Sequence, residues 1–155
     1  MGLGESYQRQ FLYKMINMRF LGTSLFVTNA NLMPPKVRMA AEQQLIRFGY
    51  TVANNGKIFC PVMTGRLRAS VTVNWSGSPF NRAKPVGRVS GQGATQGIND
   101  GVGRPEDPKG FWVAVGTNVG YAEEVHDRIP FLWAAFKQDE AKFRKGLSSA
   151  LMKAL

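Results

Sequence analysis

One cysteine, Cys60, and one histidine, His126, occur in the 155 residues of this chain. A lone cysteine excludes a disulfide framework within the chain and suits a reducing, cytoplasmic compartment better than secretion. With one Cys and one His the chain cannot assemble a zinc site of the common Cys/His types, nor supply two imidazoles to a metal. Acidic residues are scarce too: 10 Asp plus Glu stand against 20 Lys plus Arg, the net charge is +10, and the first Asp in the chain is Asp100. Long apolar runs are missing. The longest, Phe20 to Val27, contains Gly22, Thr23 and Ser24, whereas a membrane-spanning helix needs about 20 apolar residues. Behind Lys14 and Arg19 this run superficially resembles a signal-peptide core, but it is compact, preceded by Glu5 and followed by Asn29 and Asn31, so no targeting segment is expected.

An apolar content of 44% over this length is sufficient for one packed core and too little chain for two catalytic domains. The charge is unevenly placed. Residues 1–75 hold nine Lys/Arg and two acids, Glu5 and Glu42, for a net +7; residues 76–108 balance to +1 and residues 109–155 to +2. The first half therefore presents an almost one-signed field, which suits an acidic partner or a solvated basic surface.

Periodicity organises the chain into one domain over residues 1–155. Its parts are a helix and strand extension over 1–33, a helix plus strand over 34–75, a flexible loop over 76–108, and a strand plus C-terminal helix over 109–155. Ser6 is placed to cap a helix over about residues 7–20, where Phe11, Leu12, Met15 and Ile16 share one side. Thr23 to Thr28 suits a short strand. Pro35 opens a helix in which Val37, Ala40, Ala41, Leu45, Phe48 and Val52 recur at spacings of three and four. Pro61 and Gly65 end whatever helix survives past Gly56. Leu67, Ala69, Val71, Val73 and Trp75 then alternate with polar residues, predicting a strand with one dry face.

Residues 76–108 carry seven of the 17 glycines and four of the eight prolines, which predicts a long loop that orders on assembly. Phe111 to Val115, apolar on both faces, predicts a central strand. Gly116 to Gly120 turns the chain, and after Pro130 an apolar stripe from Phe131 to Ala154 predicts a long amphipathic helix. The expected class is α+β: a small, mostly antiparallel sheet packed against two longer amphipathic helices, with a long Gly/Pro-rich loop.

Catalytic patterns fit poorly. Gly91-Gln-Gly93-Ala-Thr-Gln-Gly97 has the wrong glycine spacing for a dinucleotide fingerprint, and Gly56-Lys57 is followed by Ile58 rather than Ser or Thr, so no phosphate-cradling loop is present. A lysozyme-like hydrolase needs paired carboxylates. Glu123, Glu124 and Asp127 cluster, yet adjacent Glu side chains project in different directions and an exposed acidic turn explains them equally well. A Cys60-His126 dyad needs a depressed thiol pKa, while Cys60 between Phe59 and Pro61 reads more simply as a small buried hydrophobe. Lys57, Arg66 and Arg68 lie near Trp75, which keeps a basic nucleic-acid-binding module open; Trp75 itself falls on the apolar phase of its strand. No catalytic, cofactor or metal site is expected.

The segment Cys60-Pro-Val-Met-Thr-Gly-Arg-Leu-Arg-Ala-Ser70 resembles the Pro-x-x-Thr-Gly-x-Leu-Arg-x-Ser signature of the tailed-bacteriophage HK97 gp10-like family. Three further blocks follow in that family's order: Val113-Ala-Val-Gly-Thr-Asn118, then Tyr121-Ala122 with Val125-His126, then Pro130-Phe131-Leu132 opening a terminal helix. The similarity covers roughly residues 35–155. It implies a structural virion protein of the head-to-tail interface, made in the host cytoplasm. Such a protein is a neck or tail-completion ring subunit between the head connector and the tail, or alternatively a tail terminator capping the tail tube.

The implied partners are further copies in a six-fold or twelve-fold ring, head-connector or head-closure proteins, and tail-tube or tail-terminator proteins. Genomic DNA in the channel lies nearby; no membrane and no catalysis are implied. Carried onto this sequence, Pro61, Thr64, Gly65, Leu67, Tyr121, Pro130 and Phe131 form the fold-signature turns. Thr64 and Gly65 shape the entry to the strand, and Tyr121 and His126 brace the later turn against Phe131. The candidate interface comprises Arg66, Arg68, Arg82, Lys84, Arg88, Arg104, Glu123 and Glu124. Arg66 and Arg68 either face an acidic neighbouring ring or pair within the subunit.

Overall fold

Pro34 and Pro35 set the first long helix, α1 (Pro35–Phe59), because proline's fixed φ is already helical and its missing N–H is not needed in the first turn. The computed structural model describes residues 26–28, 34–62, 65–81, 83, 93, 97, 99–105 and 110–155. The expected helix over 7–20 and the first residues of the expected strand at 23–28 lie outside these; its last three form β1 (Phe26–Thr28). The helix α1 continues to Phe59, where Cys60 turns extended and its N–H still bonds the Gly56 carbonyl. Five of the six apolar positions read from the sequence are buried, Val37, Ala41, Leu45, Phe48 and Val52, and Ala40 is half-buried.

The remaining elements are α2 (Arg66–Ser70), β2 (Thr72–Trp75), β3 (Phe111–Gly116), α3 (Ala122–Arg128) and α4 (Phe131–Ala154). Among the described residues the sheet has three strands in the order β1-β3-β2, both pairings antiparallel. Val73 faces Val115 and Trp75 faces Val113 across the β2–β3 ladder. The class is α+β, with the two long helices lying together and α1 against the sheet. Phe48 of α1 stacks on Phe143 of α4 at 4.2 Å between ring centroids and meets Phe136 edge-on at 5.6 Å. Such aromatic pairs add roughly 0.5–1.5 kcal/mol beyond burial.

Three expectations are corrected. The strand predicted from Leu67 begins only at Thr72, because residues 66–70 form a helical turn. Leu67, Ser70 and Val71 are all buried, and that i, i+3, i+4 spacing satisfies a helix as well as the alternation satisfied a strand. Nor does β2 have one dry face: Thr72 and Asn74 are buried along with Val73. The acidic turn expected around Glu123 is the helix α3, with Glu123 and Glu124 in its first turn and His126 and Arg128 in its last, the charge order a helix dipole favours.

As the sequence predicts, β3 is central and every residue in it is buried. Its two faces meet different neighbours. Phe111, Val113 and Val115 join the main core, while Trp112 and Ala114 form a second apolar cluster with Ala83 and Val102. Among the described residues this back face is covered by the segments around Ala83 and Val102, and polar side chains of β2 tie them down. Val102 N–H donates to Thr72 Oγ1 at 2.9 Å, and Asn74 Nδ2 lies within 3.4 Å of the carbonyls of Phe80, Asn81 and Val102. Ala83 N–H donates to the Val102 carbonyl at 3.0 Å. At Gly101, which bridges to Thr117, a Cβ would collide with the Ala83 carbonyl, so only glycine fits.

Candidate interface

Gly65 enters α2 with φ 81° and ψ −11°, the left-handed conformation that glycine adopts without a Cβ penalty. Its carbonyl accepts the Ala69 N–H at 2.9 Å. The positive φ is the one expected of Gly65, but it opens the helix α2 rather than the strand; Thr64 lies outside the described residues. The turn drives Leu67 and Ser70 inward and leaves Arg68 exposed. The Ser70 hydroxyl donates to the Leu67 carbonyl at 2.7 Å and shares a 2.5 Å hydrogen bond with Thr117 Oγ1. Thr117 in turn accepts the Val119 N–H at 3.1 Å. A buried hydroxyl needs such partners, since leaving one unsatisfied costs about 1–3 kcal/mol.

Around this pair the chain closes a corner. Asn118 N–H donates to the Asp100 carbonyl at 2.7 Å, and the Asp100 carboxylate takes Arg66 Nε at 2.8 Å and Nη2 at 3.4 Å. Arg66 therefore pairs within the subunit, one of the two roles left open for it, and the Asp100 hydrogen bond holds its guanidinium pKa above the usual value. Asp100 and Thr117, which hold this corner together, are not among the residues singled out from the sequence. Their one sequence signal was Thr117's place in the Gly-Thr-Asn block.

Arg68 has a different environment. Burial first, and then the Arg68 charge, lowers the Lys57 ammonium below its ordinary range. The same Arg68 charge acts on Cys60, whose thiol is nevertheless pushed up to about 11 by burial. Cys60 Sγ lies 3.5 Å from the Pro61 carbonyl as donor. A thiol held this far from ionisation is a poor nucleophile.

Tyr121 stands exposed at the start of α3 and Pro130 at the start of α4, while Phe131 is fully buried. His126 does meet Phe131, edge to face at 5.4 Å, and burial lowers its pKa, with Asp127 opposing the shift. Glu123 and Glu124 are exposed, and Glu124 accepts Arg128 Nη2 at 2.6 Å in a fully solvated pair. Arg104 is exposed and donates to the Ser78 carbonyl at 3.0 Å. Arg82, Lys84 and Arg88 lie outside the described residues. Trp75 is partly buried against the core, 6.0 Å from the Tyr50 ring.

Among the described residues no group of three or more His, Cys, Asp and Glu is placed to hold a metal ion, and no helix is long and apolar enough to cross a membrane. Compared with protein-family models, curated proteins and solved structures, the chain matches none.

Proposed function

We propose that this chain is a structural subunit of the head-to-tail interface of a tailed bacteriophage, a neck or tail-completion ring component between head connector and tail. One observation carries the reading. The two sequence blocks that resemble the HK97 gp10-like family, around Pro61–Ser70 and Val113–Asn118, meet in space through the buried Ser70–Thr117 hydroxyl pair. This contact between motifs nearly fifty residues apart supports reading them as parts of one fold signature.

A small α+β domain with charged exposed turns suits repetition around a symmetric channel, where one surface patch must meet a different patch on the next copy. Copies of the chain would form a closed ring, six-fold or twelve-fold, within the virion, and contact connector and tail-tube proteins along the channel axis. The test is electron microscopy of the chain co-expressed with candidate head-connector and tail-tube proteins. A closed ring stacked on either partner is the expected result. A chain that remains monomeric with both partners present overturns the proposal and makes salt-dependent DNA binding the next measurement.

A further inference from the structure

Two segments of this chain each expose large apolar side chains and carry opposite charge. The first is the end of α1. Ile58, Phe59 and Val62 are 66%, 40% and 54% exposed; Lys57 precedes them in the chain, and the Arg68 charge acts on both Lys57 and Cys60. Exposed large apolar side chains close together in the chain and flanked by cations are the composition an interaction surface uses. The two cations repel each other, and among the described residues neither has a carboxylate partner. An acidic, partly apolar partner would relieve that repulsion and cover the patch together.

The second surface has that chemistry. The helix α3 carries Glu123, Glu124 and Asp127, all exposed, between Tyr121 and Ile129, which are 42% and 47% exposed. Its basic residue Arg128 pairs with Glu124 across two solvated side chains, an interaction weak enough to yield to a better partner. Glu123 and Asp127 have no ion pair among the described residues.

We infer that the α1 end of one copy, through Lys57, Arg68, Ile58 and Val62, docks on the α3 surface of a second copy of this chain, through Glu123, Glu124, Tyr121 and Ile129. The choice of a second copy rests on the ring reading above and on this charge complementarity. A contact between two different patches is the kind that propagates from copy to copy until it closes. Opposed charges at its rim set register and association rate, and the apolar side chains supply the burial.

The experiment uses the full chain and two reversed variants, Lys57→Glu with Arg68→Glu, and Glu123→Lys with Glu124→Lys, each followed by sedimentation velocity at low and high salt. Self-association of the natural chain is expected to weaken with salt, and each variant alone to associate at least about tenfold more weakly. An equal mixture of the two variants is expected to recover assembly, because the reversed patches then face each other; recovery also shows that both variants fold. Natural-strength association of either variant, or a mixture that stays dissociated, overturns the contact.

The two readings fail separately. A ring on connector or tail tube that ignores both reversals removes this contact and leaves the proposed function. A charge-dependent oligomer that joins neither partner supports the contact and removes the neck reading. A natural chain that is monomeric alone and with both partners overturns both.

Discussion

Ser70 and Thr117 show how much one hydroxyl can hold. Each is buried, each has a second polar contact, and together they join the α2 turn to the end of β3. Ser70→Ala removes one partner and leaves Thr117 short of a hydrogen bond, so it is expected to cost about 1–3 kcal/mol in denaturant unfolding. Adding Thr117→Ala is expected to cost less than the sum of the two single changes, which a double-mutant cycle measures. At His126 the effect is one of pH. Burial holds its folded pKa below the ordinary 6.5, so the unfolded chain takes up the proton first as pH falls. The stability this contributes is complete above pH of about 6.5 and declines as pH drops through that value toward the lower folded pKa. The melting temperature is expected to fall over that interval, and His126→Gln to flatten the slope there. Glu140, held low chiefly by hydrogen bonds from Lys137 and Arg144, acts only in more acidic solution: its contribution is complete above its ordinary value and lost as pH falls through the depressed one.

Elements differ in how closely they approach. A Cβ on Gly49 would sit 2.8 Å from Val113 Cγ1 and 3.1 Å from Val73 Cγ1, both on stiff, β-branched side chains in the buried sheet. On Gly56 it would sit 2.8 Å from Leu132 Cδ2, the tip of a longer side chain. Alanine improves helix propensity by about 1 kcal/mol at either site. At Gly49 the clash is expected to outweigh that gain, for a net loss of up to about 2 kcal/mol, since overpacking costs about 1–3 kcal/mol. Gly56→Ala is expected to be near neutral; thermal unfolding of both variants checks the contrast. The long helices and β3 were legible because each repeats one period for several turns or lies apolar on both faces. The short helices were not. Five residues after Gly65 satisfied two periods at once, and α3 is too short to display one.

At the scale of the whole molecule, one face of the sheet packs on α1 and the other, among the described residues, is covered by the segments around Ala83 and Val102. Asn74 is fully buried and its amide reaches three carbonyls of that covering chain. Asn74→Ala is expected to raise hydrogen exchange at Ala83 and Val102 while leaving the centres of α1 and α4 protected. Equal loss of protection everywhere would show instead that the covering chain and the helical core unfold as one unit. The candidate interface was legible only in part. Arg68, Glu123 and Glu124 are exposed, whereas the half-exposed Arg66 is held by Asp100, thirty-four positions away. Only the folded chain brings such a partner within reach.

The amino-acid sequence by itself determined the α+β class, the two amphipathic helices, the buried strand between them and the uneven positive charge, because each depends on neighbours one to four positions apart. Tertiary structure decided what no local spacing contains: the helical turn at Arg66–Ser70, the polar fastening of the sheet's second face, the Arg66–Asp100 pair and the meeting of Ser70 with Thr117. In each case the deciding energy is a contact between distant segments, and it outweighs a local preference that was evenly balanced.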